Sequence, residues 1–278
     1  MGRFFPYLGG KTHLIDDLLK LIPSHQTYVE VFGGSGELLF SKTKSKHEVF
    51  NDINQDLINL FLQVRDNLTA VQSRLEYLPN SRELYETWTR DFKNGLSPSD
   101  PIERAARFYY ILCNQFAGKM YGGWAFGHRL SGWSENRIKK LPAISKRLER
   151  VYVDCSDFRK LIATWDSQNT FLFCDPPYLD TVGYKQGFNE KDHRDLAEIL
   201  RNTKGKWILT INDHPLFHDL YSEYIIDMID IQLSIEKMEN NDSRKTYSNL
   251  IIRNYDSGDI SQSILGNYLF NPALEANK

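Results

Sequence analysis

Along the 278-residue chain, apolar positions recur with two different periods. Leu14, Ile15, Leu18, Leu19 and Ile22 are spaced for one face of a helix over Thr12–Ile22, which stops at Pro23. Thr27-Tyr28-Val29-Glu30-Val31-Phe32 then reads as a buried strand closed by Gly33-Gly34-Ser35-Gly36. A helix begins at Glu37–Phe40, and His47-Glu48-Val49-Phe50 is a second short strand ending at Asn51-Asp52. Strand, glycine turn, helix and strand make a βαβ unit, the opening of a parallel sheet. From Gln55 to about Arg150 the pattern is helical, broken by the glycine- and aromatic-rich loop Gly118–Trp133. Strand runs return at Val151–Val153, Thr170–Cys174 and Trp207–Ile211, with a helix over Asn189–Asn202. Tyr224–Lys237 and Tyr247–Asn254 predict a hairpin around the polar loop Glu239–Thr246. The expected organisation is a discontinuous α/β domain, residues 1–62 plus 150–278, interrupted by a helical insertion over 63–149.

Composition sets the class. With 41% hydrophobic and 25% charged residues the chain can bury a sizeable core as one large domain. It has no apolar run of about 18 residues, so no membrane span is expected. Met1–Pro6 carries no signal-peptide pattern, and Pro6 stands where myristoylation needs Ser or Thr, so a cytoplasmic protein is expected. Cys113, Cys155 and Cys174 match no zinc spacing and no closed disulfide set; they read as buried free thiols, with no metal. The net charge of −2 does not announce a nucleic-acid protein, but its distribution does. Between Arg104 and Arg150, ten basic residues face only Glu135 and Glu149, so this segment carries +8 and the remainder −10. Such a patch can hold a phosphate backbone; a solvated helix face is the competing reading.

Two constellations carry chemistry. Ligands of open parallel sheets sit beyond the carboxyl ends of the strands. Phe32-Gly33-Gly34-Ser35-Gly36 lies at such an end, where glycines let the backbone turn tightly against a ligand. Asp52 ends the next strand, where a carboxylate can accept both hydroxyls of a ribose. Gly10-Lys11-Thr12 resembles the end of a phosphate-binding loop, but Phe5 occupies the place of its first glycine. The second constellation is Asp175-Pro176-Pro177-Tyr178, directly after an apolar strand. Two prolines stiffen this turn and remove two backbone donors. The Asp175 carboxylate and the Pro176 carbonyl can then both accept from one planar NH2 while Tyr178 stacks on its ring. An exocyclic amine is a poor nucleophile because its lone pair is delocalised; two acceptors favour a tetrahedral nitrogen and stabilise the charge that develops on methyl transfer.

Tyr7-Leu8-Gly9-Gly10-Lys11, Phe32–Gly36, Asn51-Asp52-Ile53-Asn54, Asp157-Phe158 and Asp175–Tyr178, in this order, resemble the Dam-like DNA adenine methyltransferases of the alpha class of amino methyltransferases. The resemblance covers residues 4–62 and 151–255. It implies a Rossmann-like, seven-stranded, mostly parallel sheet with an antiparallel C-terminal hairpin and a helical DNA-recognition insertion. It implies S-adenosyl-L-methionine as cofactor: Tyr7 and Lys11 would touch it from the N-terminal segment, Glu30 and the turn Gly33, Gly34, Ser35 and Gly36 would hold its methionine part, Phe32 would also contact the cofactor, Asp52 would bind its ribose, and Asp157 and Phe158 would flank its adenine. Asp175 would lie between cofactor and target base, and Tyr178 would stack on a flipped-out adenine of double-stranded DNA. A cognate restriction endonuclease is a candidate partner, and a monomer or weak dimer is expected.

Chemistry on a base requires that the base leave the stack, hence phosphate clamps and base readers. The insertion offers Asn114, Gln115, Lys119, Tyr121, Trp124, His128, Arg129, Trp133, Asn136, Arg137 and Lys139, and the hairpin loop offers Arg244 and Lys245. Gly122-Gly123-Trp124-Ala125-Phe126-Gly127 stands where GATC-specific members carry another loop motif, so no recognition sequence is assigned. The alternatives are cytosine-N4 methylation, which Asp175 in place of Ser disfavours, and a catalytically inactive DNA-binding module, which the intact Asp175 and Tyr178 disfavour.

Overall fold

The computed structural model describes residues 4–7, 14–125, 133–179, 187–232 and 246–257. Helix α1 (Ile15–Leu21) leads into strand β1 (Thr27–Glu30), and α2 (Glu37–Ser41) connects it to β2 (His47–Asn51). Helices α3 (Gln55–Asp66), α4 (Leu68–Leu75), α5 (Arg82–Lys93), α6 (Pro101–Asn114), α7 (Glu135–Lys139) and α8 (Leu141–Leu148) then separate β2 from β3 (Val151–Asp154). There follow α9 (Phe158–Trp165), β4 (Thr170–Cys174), α10 (Glu190–Arg201), β5 (Lys206–Asn212), α11 (Pro215–Leu220), β6 (Ile225–Gln232) and β7 (Thr246–Arg253).

The sheet is seven-stranded, in the order β3-β2-β1-β4-β5-β7-β6. Strands β3, β2, β1, β4 and β5 run parallel, and β7 inserts antiparallel between β5 and β6. The chain moves outward from β1 to β2 and β3, then returns to β4 on the other side. The crevice beyond β1 and β4 is therefore the topological switch point, where doubly wound sheets hold ligands.

Alternation along the strands splits the core into two layers. Tyr28, Phe50, Phe171, Phe173 and Ile208 join residues of α1–α6 and α8 on one face. Val29, Val49, Leu172, Trp207 and Leu209 join α9, α10 and α11 on the other. The helices between β2 and β3 continue the first of these clusters: Leu57, Leu60, Phe61 and Val64 of α3 pack with Phe108, Tyr109 and Leu112 of α6 and with Phe50 of β2. Caps explain where these helices start. The Asn54 carboxamide accepts from the Asp56 and Leu57 amides, Ser81 caps α5, and Asp100 followed by Pro101 opens α6.

Three expectations need amendment. The described part of the first helix is Ile15–Leu21, with Thr12 and His13 outside the described residues. Helices α9 and α11 were not anticipated: α9 sets Phe158, Leu161, Ile162 and Trp165 at helical spacing but is only eight residues long, and α11 is only six. Cys155 is exposed, unlike Cys113 and Cys174, since it follows the last residue of edge strand β3 and faces no second layer.

Candidate active site

The turn after β1 is shaped by what its residues lack. The Val31 amide extends the ladder to the Phe173 carbonyl (2.9 Å), and the Gly33 amide bonds the Asn51 carbonyl (2.7 Å). A Cβ on Gly33 would stand 2.4 Å from the Phe50 ring and 2.8 Å from the Asn51 carbonyl oxygen, so only glycine passes there. Gly34 and Gly36 take φ of 50° and 67°, the left-handed region that costs other residues about 1–2 kcal/mol. The space over Gly34 is filled by Tyr7, whose ring lies 3.1 Å from where a Cβ would be.

Two carboxyl groups frame this turn. Asp52 accepts from the Gly34 amide at Oδ2 (2.9 Å) and the Asn54 amide at Oδ1 (2.8 Å), leaving a further lone pair on each oxygen. Burial pushes its pKa up, and the two amides pull against it. Glu30, at the end of β1, is 2% exposed; its Oε2 accepts from the Tyr28 hydroxyl (2.8 Å) and the Leu39 amide (3.0 Å). Burial outweighs both bonds and pushes its pKa up to about 8. A buried acid in that state is matched to a cation that would sit beside it.

Asn51 ties three strand ends together. Its amide nitrogen donates to the carbonyls of Val31 (2.9 Å) and Ser156 (3.1 Å), and its oxygen accepts from the Ser156 amide (2.8 Å). This brings the start of α9 to the crevice. Asp157 caps that helix by accepting from the Arg159 amide (2.9 Å). Phe158 packs against Phe32 (5.6 Å) and Phe188 (5.5 Å), with the Arg159 guanidinium 4.3 Å over its ring. Arg159 is held there by Asp157, Asp192 and Asp195.

The turn Asp175–Tyr178 leaves β4 next to these groups. Asp175 Oδ1 accepts from the Thr210 hydroxyl of β5 at 2.7 Å. Tyr178 packs half-buried against the α9–α11 layer. One cavity of about 760 Å³ is lined by Tyr7, Glu30, Phe32, Gly33, Gly34, Ser35, Asp52, Asp157, Phe158 and all four residues of the Asp-Pro-Pro-Tyr turn. Gly36 sits behind it against Phe40, and Lys11 lies outside the described residues.

A glycine cradle with acids at the ends of β1 and β2 thus faces the Asp-Pro-Pro-Tyr turn after β4, and over residues 7–240 the sequence matches a known family: the D12 class N6 adenine-specific DNA methyltransferases. The chain belongs to this family. It is an adenine-specific DNA methyltransferase, and the cytosine-N4 reading falls. Among similar proteins are the Type II methyltransferase M1.LlaDCHI of Lactococcus lactis subsp. cremoris (26% identical, covering 91% of this chain and 95% of the relative) and the Retron Ec67 DNA adenine methylase of Escherichia coli (26%, 84% and 86%). The DNA adenine methylase of Salmonella typhi is 25% identical over 89% of this chain and 93% of its own length.

The side chains offered for DNA differ in exposure in this methyltransferase. Lys119 is exposed beside the 3-10 turn Phe116–Gly118, and Lys139 is exposed with Glu135 at 2.9 Å. Trp124 is half-buried, edge-on to Tyr85, and Arg137 is half-buried near Tyr109. Tyr121, with φ of 55°, turns inward and lines the cavity. Arg129, Arg244 and Lys245, like His128, lie outside the described residues. Asn114 and Gln115 are buried and their amide nitrogens are spent on the carbonyls of Tyr110, Pro6 and Gly118, so they do not read bases; Trp133 is likewise core. The basic segment is also less free than its charge suggests. Arg147 is buried in an ion pair with Glu48, Arg104 bonds Asp56 (2.6 Å), and Arg107 bonds Glu103 (2.7 Å), all acids outside the segment.

Sequence reading missed Thr210, His193 and Phe188 at the site. A signal existed for the first two. Thr210 interrupts the apolar run of β5, and His193 stands with Leu196, Ala197 and Leu200 on the apolar face of α10.

Proposed function

We propose that S-adenosyl-L-methionine is the methyl donor and that the cavity between the β1 and β4 turns is where it meets the adenine. The observation that carries this is the single cavity shared by the glycine cradle, Glu30, Asp52 and Asp175–Tyr178. The residues fit the cofactor. A closely approached backbone at Gly33 and Gly34 admits its methionine part, the raised pKa of Glu30 suits an ammonium neighbour, and the spare lone pairs of Asp52 suit a ribose diol. Phe158, backed by Phe32 and Phe188, offers a face to its adenine ring. When bound, the cofactor supplies an electrophilic methyl group.

The chain's own part is alignment and charge stabilisation. The Asp175 carboxylate and the Pro176 carbonyl accept the two N–H bonds of the N6 amine, which turns its lone pair toward the methyl group. With the methyl group supplied by the bound cofactor, Asp175 would stabilise the positive charge that develops on N6 and its carboxylate would take the proton that N6 gives up. Tyr178 stacks on the flipped base and excludes water from it. We assign target recognition to the insertion over residues 63–149, with Lys119, Trp124, Arg129, Arg137 and Lys139 on DNA, and place Arg244 and Lys245 at a second contact. The name of the Lactococcus relative supports pairing with a restriction endonuclease.

Expression in methylation-deficient cells, followed by sequencing that reports each modified base, tests this. Wild type is expected to leave N6-methyladenine in one short motif, and Asp175→Ala to lose the mark by a factor on the order of 100 or more. An unchanged mark in Asp175→Ala would remove that residue from the chemistry.

A further inference from the structure

Pro176 and Pro177 take two N–H groups out of the proposed catalytic turn, so neither can donate a backbone bond to hold it. Two polar side chains from neighbouring elements meet the turn. Thr210, fully buried in β5, donates its hydroxyl to Asp175 Oδ1 at 2.7 Å and lies 3.5 Å from the Cys174 carbonyl. His193 of α10 is 2% exposed and neighbours the Pro177 carbonyl, which favours a proton on its ring. Its Nε2 has no partner among the described residues, and a carbonyl only accepts, so a ring N–H is the group that can serve Pro177. The ring is wedged between Phe188 (4.6 Å) and Phe217 (4.9 Å), and burial keeps it neutral, with a pKa of about 4. A hydroxyl in the middle of an apolar strand and an imidazole on the apolar face of a helix are costly unless bonded. Val and Leu would fill both places without that cost. Both polar groups face the same short segment.

We propose that Thr210 and His193 are positioning residues for methyl transfer, two outside donors that orient the acceptors of the Asp175–Tyr178 turn. Thr210 holds one oxygen of Asp175 and so sets the direction of the other toward the target amine. His193 holds the Pro177 carbonyl and so sets the peptide plane that follows the Pro176 carbonyl. The proposal rests on Asp175–Tyr178 being the catalytic turn.

Single-turnover methyl transfer from tritiated S-adenosyl-L-methionine to unmethylated genomic DNA, with both at saturation, tests it on the full chain. Thr210→Val and His193→Leu are expected to slow the rate roughly 10- to 100-fold. Cofactor affinity, read by titration, should stay near wild type. Thr210→Ser and His193→Asn return a donor to the same place and should recover most of the rate. If Ser and Asn are no better than Val and Leu, the loss is one of packing and the proposal fails. It fails equally if Val and Leu are as fast as wild type while Asp175→Ala is dead. If Asp175→Ala stays active, the reading of the turn falls instead. Should His193→Leu not fold, the near-isosteric pair of Thr210 variants decides alone.

Discussion

The turns after β1 and β4 meet at one cavity and are built on opposite principles. Gly33–Gly36 keeps its N–H groups and spends them close by: Gly33 on the Asn51 carbonyl, Gly34 on Asp52, Gly36 on the Gly33 carbonyl. Its shape depends on missing Cβ atoms. Asp175–Tyr178 has surrendered two N–H groups to proline and is met by the polar side chains of Thr210 and His193 from elsewhere. Under the proposed function the first turn lets a ligand approach the backbone, so side chains are the obstacle. The second then presents acceptors without competing donors, so N–H groups are the obstacle. Each sequence removes the group that would interfere with its task.

The largest effect that would sharpen this contrast is expected from Gly33→Ala. Its Cβ would meet the Phe50 ring and the Asn51 carbonyl, and backbone cannot give way as a flexible side chain can. Melting experiments should show a loss of about 1–3 kcal/mol, with cofactor binding by titration weakened along with it. Gly123→Ala, with nothing within 4 Å of its added Cβ, is the control and should behave as wild type.

A smaller effect concerns pH. Glu30 has a folded pKa of about 8 against an ordinary 4.5, so the folded state holds a proton that the unfolded state has lost. The stability this contributes is whole below the ordinary value and is lost as pH rises through about 8. Glu30→Gln should therefore melt with less pH dependence across that window. An ammonium beside Glu30 favours its ionised form, so binding of S-adenosyl-L-methionine releases a proton and should tighten as pH rises toward about 8. Titrations in which Glu30→Gln keeps the wild-type slope would separate this carboxyl from the cofactor.

The smallest effect is expected from Pro177→Ala, which returns one N–H to the second turn. Stability should drop by about 0.4–1 kcal/mol through the freer unfolded chain, and the single-turnover rate should fall less than in His193→Leu. A larger fall would mean that proline stiffness, more than the outside donors, holds the turn.

How far the chain could be read in advance follows the range of the interactions involved. The strands, the glycine turn and Asp175–Tyr178 are local patterns a few residues long, and the parallel sheet with its antiparallel C-terminal strand follows from their order. The DNA-facing residues were harder. Charge between Arg104 and Arg150 reads as a patch, but Arg104, Arg107 and Arg147 are matched by acids that lie before the segment begins. Tyr121 reads as a surface aromatic, yet a left-handed backbone turns it into the cavity. Sequence by itself determined the fold class and the family motifs, because each rests on neighbours along the chain. Tertiary structure alone decided which charges are already spent and which polar side chains neighbour the Asp-Pro-Pro-Tyr turn, because Glu48 meets Arg147, and His193 and Thr210 meet Asp175–Tyr178, only once distant segments pack.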